Sequence, residues 1–234
     1  MGANYPKNRK KTNSKGMNNT SARSGSSTGV PNWNRPPRRS GTVNLCIRAA
    51  VDAQIEHGYR IRRDVETATA IWNKSTSRHF SGVSFDIIDL KAIETNINTE
   101  IFSIDRNIHA SEIKAMVDAA ACDAADVTVF YLPGKFISTN HPFSLVVARY
   151  YPVHRVIIMS EGAVANPYFL AHELGHALFT TNSRGYYDDP DPQRKDNAHN
   201  RNEGNLMYKG LSSRTVPTIT NEQIGKALYS TLFR

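Results

Sequence analysis

The stretch FLAHELGHALFTTNSRG, residues 169–185, places His172 and His176 four positions apart with Glu173 between them. On an α-helix, residues four apart share a face, so both imidazoles can reach one cation while Glu173 projects beside them. The surrounding apolar residues predict that the helix is buried rather than exposed. They are Phe169, Leu170, Leu174, Ala177 and Leu178.

The residues around this stretch set the expected limits of the helix. Asn166 is a favourable N-cap and Pro167 fits the first helical position, so the helix is predicted to begin near Pro167. The next strong terminator is Gly185, so the helix is predicted to continue through Thr181.

The sequence before this helix alternates between strand and helix patterns. Strands are predicted at 42–52, 83–93, 126–134 and 153–162, and helices at 62–77 and 110–122. Strands separated by helices favour a mainly parallel sheet. The fourth strand follows a polar loop instead of a helix, so we expect it to run antiparallel at the sheet edge. The predicted class is α/β: a mixed, mainly parallel twisted sheet of four to five strands, two covering helices, the histidine helix and a C-terminal helix.

The formal net charge of +8 belongs to one end of the sequence. Residues 1–41 contain nine Lys and Arg and no Asp or Glu, whereas the remainder holds 20 basic and 21 acidic residues. The first segment is also rich in Asn, Ser, Gly and Pro, with too little apolar surface to offset the entropy of ordering it. We therefore expect a disordered basic tail at 1–41 and one folded domain at 42–234.

The basic tail is suited to contact nucleic acid, anionic lipid or a delivery system, while the near-neutral domain argues against a folded nucleic-acid-binding face. The tail lacks the apolar core of a standard secretory signal, and no apolar run approaches the ~20 residues of a transmembrane helix. The sequence leaves the compartment open, with secretion or delivery by a non-standard route favoured over a cytoplasmic location. We expect a monomer.

The two cysteines, Cys46 and Cys122, fall in a predicted strand and at the end of a predicted helix. Neither lies in a zinc-finger spacing, so thiolate metal ligands are not expected. Two buried thiols are favoured over one disulfide, which would form only outside a reducing cytosol.

Several motifs together resemble the metzincin clan of zinc metallopeptidases, from about residue 42 to the end. They are HELGH at 172–176, NLMY at 205–208 and ITNEQI at 219–224, the last being similar to the LTNEQI ending of bacterial members. The resemblance implies a zincin fold, a catalytic zinc, a turn containing Met207 beneath the metal, and a terminal helix opened by the last motif.

This chain departs from the clan's pattern HExxHxxGxxH. Phe179 stands at the place of the glycine and Asn182 at the place of the third histidine. A catalytic zinc needs a third protein ligand and an open position for water. His199 is the only histidine after the helix and lies in a polar loop six residues before Asn205, so we predict that His172, His176 and His199 bind the metal.

Other ligands stay open at this stage. Asp188, Asp189 or Asp191 could supply a carboxylate, and Glu203 or Glu222 would give the ligand set of thermolysin-like peptidases. The loop aspartates are also a weak indication of calcium, because they lack the EF-hand spacing.

The resemblance implies a zinc-dependent endopeptidase, in which Glu173 acts as general base toward a zinc-activated water. The fourth strand, with RVIIM at 155–159, is expected to offer its edge to an extended protein or peptide substrate. The chain would then be a secreted or delivered effector or toxin. The alternative from another class is a catalytically silent zinc-bearing binding protein.

Overall fold

The computed structural model describes residues 40–52, 58–74, 81–95, 97–100, 109–137, 145–180, 188–191, 193 and 195–233. The strands are β1 (Gly41–Ala50), β2 (Val83–Ile93), β3 (Val127–Leu132), β4 (Ala148–Tyr151) and β5 (Val156–Ser160). The α-helices are α1 (Tyr59–Trp72), α2 (His109–Ala119), α3 (Phe169–Phe179) and α4 (Asn221–Ala227), and a 3₁₀-helix covers Glu161–Ala165. Apart from its last two residues, the predicted tail lies outside the described residues.

The strands form one sheet in the order β2-β1-β3-β5-β4. β1 is parallel to β2 and β3, and β3 is parallel to β5. β4 is antiparallel to β5 at the end of the sheet. The mixed, mainly parallel sheet and its four helices confirm the predicted α/β class.

The antiparallel edge strand is not the one predicted. The segment 153–162 contains β5, which pairs with β3 on one side and with β4 on the other, so its edge is not free. The edge strand is β4, in a segment that the sequence predicted as a loop. Every residue of β5 is buried, and such a continuous apolar run is typical of an interior strand covered on both faces.

The two faces of the sheet carry separate apolar clusters. On one face, Leu45, Val129 and Ile157 pack with residues of α1, α3 and the C-terminal segment. On the other face, Phe130 and Ile158 pack with Met116 of α2 and its neighbours. The sheet is therefore enclosed from both sides, with the histidine helix on the first face.

The first strand was predicted to be half-buried, but it is buried on both faces. Cys46 is fully buried and Arg48 is only 2% exposed. The Arg48 guanidinium forms an ion pair with Asp89 at 2.9 Å and donates to the Ala120 carbonyl at 3.0 Å, so its charge is neutralised under the segment after α2. Cys46 is joined to Cys122 of that segment by a disulfide, in place of the two thiols favoured from the sequence.

Helix α3 is shorter than predicted at both ends. The Asn166 side chain accepts a hydrogen bond from the Tyr168 N–H at 3.0 Å, so Asn166 organises a turn and the helix begins at Phe169. At the other end Thr180 is extended, and its hydroxyl donates to the His176 carbonyl at 2.9 Å. The extended backbone of Thr180 ends α3 at Phe179, and the hydroxyl bond satisfies a carbonyl of the last turn. The predicted terminator, Gly185, lies outside the described residues.

The C-terminal helix begins as the sequence predicted. Thr220 is the N-cap of α4, and its hydroxyl accepts from the Gln223 N–H at 3.3 Å. The Gln223 side chain accepts in return from the Thr220 N–H at 2.9 Å, which completes a capping box. Within the described chain, no helix has the length and apolar character needed to cross a membrane.

Candidate metal centre

Three imidazoles converge on one point of the first sheet face. His172 and His176 are one turn apart on α3, and their Nε2 atoms lie 3.1 Å from each other. His199, from the loop before the NLMY turn, lies with its ring centroid 5.6 Å from that of His172 and 5.2 Å from that of His176. One ligand nitrogen of each residue lies within 4.8 Å of the other two. The structure thus brings together the three histidines predicted as ligands.

Hydrogen bonds fix which nitrogen two of these rings present to the centre. The Nδ1 of His172 lies 2.7 Å from the Leu206 carbonyl, which can only accept, so Nδ1 carries the proton. The Nδ1 of His199 lies 3.1 Å from Oδ1 of Asp196, which as a carboxylate also accepts. Both rings therefore leave the Nε2 lone pair for a metal ion.

The surroundings keep the imidazoles in the neutral form that binds metals. Burial lowers the pKa of His172 to about 4. Burial, together with the neighbouring rings of His172 and His199, lowers the pKa of His176 well below its ordinary value. The pKa of His199 is also lowered, mainly by burial, although Asp196 acts in the opposite direction. All three rings are therefore neutral near pH 7, as metal ligation requires.

Glu173 lies beside the histidines and is held by the edge strand. Its side chain is 6% exposed, and its Oε2 accepts a hydrogen bond from the Tyr150 N–H of β4 at 2.7 Å. Burial raises the pKa of Glu173 to about 7, against the opposing effects of that hydrogen bond and of Arg149. A carboxyl group with this pKa can accept and release a proton near neutral pH.

Met207 packs closely against α3 at Gly175. It is fully buried in a turn in which the Tyr208 N–H donates to the Asn205 carbonyl at 3.0 Å. A Cβ placed on Gly175, between the two helical histidines, would lie 2.5 Å from the Met207 sulfur. The same Cβ would lie 3.0 Å from Cζ2 of Trp72, whose indole N–H donates to the Ala171 carbonyl at 3.0 Å. The turn and α1 therefore support α3 directly beneath the histidines.

The structure gives the alternative aspartate ligands other partners. Asp189 is fully buried, and its carboxylate accepts from the Gln223 amide at 2.9 Å and from the Asn200 amide at 3.2 Å. Asp191 accepts from the Gln193 N–H at 2.7 Å. The described chain contains two close groups of potential metal ligands: the three histidines, and the set of Cys46, Asp89 and Cys122. Neither group includes the remaining alternatives, Asp188, Glu203 and Glu222. The weak indication of calcium from the loop aspartates stays a prediction.

Sequence reasoning missed three residues that hold the site. Tyr150 was missed because its strand was predicted as a loop, and Leu206 acts through its carbonyl, which no sequence pattern reports. Asp196 did carry a signal, because an aspartate side chain commonly accepts hydrogen bonds from backbone N–H groups two or three residues later and so forms a local turn. It accepts from the N–H groups of Ala198 and His199, each at 2.8 Å.

The donor set fits a catalytic divalent cation. Two nitrogens bound to one tetrahedral zinc at about 2.0–2.1 Å lie roughly 3.3 Å apart, close to the Nε2 separation of 3.1 Å between His172 and His176. The three neutral imidazoles supply fewer ligands than the four of a structural zinc site, so a position for water remains.

Comparison with known proteins supports the architecture. No protein-family model matches the sequence, and no curated protein sequence matches it. The fold is similar to that of metalloproteinase-II from Bacteroides fragilis, with a TM-score of 0.51 and 17% identity over 83% of this chain and 58% of that one. The chain therefore spans little more than half the length of that protein.

A zinc-dependent peptidase from Methanocorpusculum labreanum has a TM-score of 0.44 and 14% identity, over 78% of this chain and 99% of that one. At these identities the likeness concerns the fold alone.

Proposed function

We propose that this protein is a zinc-dependent endopeptidase in which His172, His176 and His199 hold the metal and Glu173 is the general base. The observation that carries the proposal is the convergence of three neutral imidazoles, two buried and one half-buried, next to a buried carboxyl group that reaches the edge strand. The fold shared with metalloproteinase-II supports it, because that protein is named for the same chemistry.

A zinc ion bound by these ligands would act as a Lewis acid that lowers the pKa of a water molecule and polarises a substrate carbonyl. Glu173 accepts a proton from the attacking water and then donates it to the leaving amine. The Tyr150 N–H holds the carboxyl group of Glu173 at the edge strand β4. Helix α3 places Glu173 next to His172, and Leu206 and Asp196 orient two of the three rings.

The substrate is proposed to bind along β4. In an antiparallel pair, the N–H and C=O of one residue point to the same side of the strand. The Tyr150 N–H points to Glu173 rather than to β5, so the Tyr150 carbonyl also faces the outer edge of the sheet. An extended peptide that pairs with this edge would bring its backbone past Glu173 and the histidines. The edge of β4 therefore replaces the segment RVIIM, 155–159, as the proposed substrate-binding edge.

We also infer that the protein works in an oxidising compartment, as a secreted or delivered enzyme. The Cys46–Cys122 disulfide supports this, because such bonds persist mainly outside the reducing cytosol. The basic segment 1–41 would serve delivery or contact an anionic surface.

The proposed activity is tested with a peptide library cleaved by purified full-length protein. Cleavage is expected with zinc, is lost on treatment with a chelator, and returns when zinc is restored. Glu173→Gln is expected to retain zinc and lose cleavage, because the amide cannot accept the proton. If zinc-loaded wild-type protein cleaves no member of the library but binds zinc through the three histidines, the catalytically silent zinc-binding alternative replaces this proposal.

A further inference from the structure

The three proposed ligands are not positioned in the same way. His172 and His176 come from one buried helix, whose backbone fixes their separation. His199 comes from a loop and has no helix to orient its ring. Whatever holds that ring in place therefore decides whether the third nitrogen reaches the metal.

Buried contacts on the C-terminal side of His199 fix the position of its backbone. The Asn200 N–H donates to the Met207 carbonyl at 2.9 Å. The Asn200 side-chain amide donates to Asp189 at 3.2 Å, and Asp189 accepts in turn from Gln223 of α4. These bonds attach the loop to the turn beneath the metal and to the terminal helix, but none of them orients the imidazole.

Asp196 contacts the ring from the N-terminal side. The Nδ1 of His199 lies 3.1 Å from Oδ1 and 3.3 Å from Oδ2 of this carboxylate. Asp196 is itself held, because its Oδ1 accepts from the N–H groups of Ala198 and His199 at 2.8 Å each. The Lys195 N–H also donates to the His199 carbonyl at 2.6 Å, which closes the turn at its other end.

We propose that Asp196 is a positioning residue for the metal, acting through His199. Its carboxylate keeps the proton on Nδ1, so the lone pair of Nε2 faces His172 and His176. A carboxylate bound to the outer nitrogen also makes an imidazole a stronger ligand. This inference rests on the three-histidine metal site of the proposed function, and it does not depend on peptidase activity.

An ordinary surface ion pair would have a different consequence. The Asp196 side chain is 53% exposed, and the His199 side chain is 21% exposed. An exposed pair of this kind contributes about 0–1 kcal/mol to stability, so its loss would change neither folding nor metal affinity by much. A positioning role instead predicts that metal affinity falls while the stability of the metal-free protein stays nearly constant.

The variant that separates the two roles is Asp196→Asn. Asparagine keeps an oxygen that accepts from the Ala198 and His199 N–H groups, so the turn is retained. It keeps Oδ1, the atom nearer to Nδ1, but removes the negative charge and replaces the second oxygen with an NH₂ donor, so the side chain is a weaker acceptor for the proton on Nδ1. Asp118→Asn is the matched control, because Asp118 is a similarly exposed carboxylate, 60% exposed, paired with Lys114 on α2.

Zinc affinity is measured on full-length protein by competition with a chromogenic chelator, and the stability of the metal-free forms by thermal unfolding. We expect Asp196→Asn to bind zinc about 10–100-fold more weakly than wild type, with unchanged metal-free unfolding, and Asp118→Asn to bind as wild type. A zinc affinity for Asp196→Asn within about threefold of wild type would overturn the positioning role while leaving the metal site intact. A wild-type protein that binds no zinc would overturn this inference together with the metal site.

Nitrogen NMR of the metal-free protein gives a second reading that does not depend on affinity. The wild-type His199 imidazole is expected to carry its proton on Nδ1, and Asp196→Asn is expected to shift the population toward the Nε2 tautomer. An identical tautomer in both proteins would contradict the proposal.

Discussion

The sulfur of Met207 occupies the space in which a side chain on Gly175 would otherwise lie. A Cβ on Gly175 would come within 2.5 Å of that sulfur and 3.0 Å of Trp72. Gly175 lies on α3 between the two histidines, so this contact lets the turn at 205–208 approach the helix at the level of the metal ligands. The glycine is required by this close approach rather than by its backbone conformation.

We predict that Gly175→Ala destabilises the protein. Alanine usually stabilises a helix relative to glycine by up to about 1 kcal/mol, but overpacking a buried site costs about 1–3 kcal/mol. The matched control is Gly225→Ala in α4, where a Cβ would meet nothing within 4 Å. Chemical denaturation should show a loss for Gly175→Ala and a small gain for Gly225→Ala.

A double-mutant cycle tests whether Met207 is the cause. Met207→Ala alone creates a cavity, whereas combining it with Gly175→Ala removes the clash and fills part of that cavity. The double variant should therefore be more stable than the sum of the single effects predicts. Additive effects would show that the two residues do not share this space.

We predict that His199→Ala reduces zinc binding below one equivalent per chain. The remaining pair on α3 supplies two of the three proposed ligands, and a catalytic zinc site uses three. The measurement is metal analysis after dialysis against limiting zinc. His154→Ala is the control, because that histidine lies in the turn between β4 and β5.

Full zinc occupancy in His199→Ala would indicate that one of the aspartates supplies the third metal ligand. The buried one, Asp189, would then be tested by the same assay as Asp189→Asn. In the structure its carboxylate already accepts from Gln223 and Asn200, so we expect that substitution to lower stability before it changes metal affinity.

The sequence predicted the parts of this molecule that depend on local pattern. The strand at 83–93 was predicted with its observed limits, and the pair on α3 follows from helical periodicity alone. The edge strand β4 could not be predicted, because its four residues become a strand only by pairing with β5. The end of α3 was misplaced because the backbone becomes extended at Thr180, before any glycine is reached. The contacts of Tyr150 with Glu173 and of Leu206 with His172 are tertiary contacts of this kind, which the sequence does not display.

We predict that reducing the disulfide lowers stability without weakening zinc binding. The Cys46–Cys122 bond closes a loop with a sequence separation of 76, and chain-entropy estimates give such a bond about 4 kcal/mol of stabilisation. Cys46 lies on the sheet face opposite α3, because its neighbours in β1, Leu45 and Ile47, pack in the α3 cluster. Thermal unfolding with and without reductant measures the loss, and Cys46→Ala/Cys122→Ala, which should not respond to reductant, is the control.

We predict that Glu173 makes a contribution to the stability of the metal-free protein that is lost as the pH rises toward neutrality. The lowered pKa values of His172, His176 and His199 change the stability in the opposite direction, so the contribution of Glu173 is measured as the difference between wild type and Glu173→Gln. The pKa of Glu173 is about 7 in the folded chain, against an ordinary value of 4.5, so between these values the folded state holds a proton that the unfolded state has lost. Stability contributed by this proton is complete below about pH 4.5 and is lost by about pH 7, a change of roughly 3 kcal/mol. Glu173→Gln should lack this step, so the step should appear in the difference between the two denaturation profiles. Added zinc should reduce the step in wild type, because a nearby cation favours the carboxylate. Parallel profiles for the two metal-free proteins would show that Glu173 does not titrate in this range.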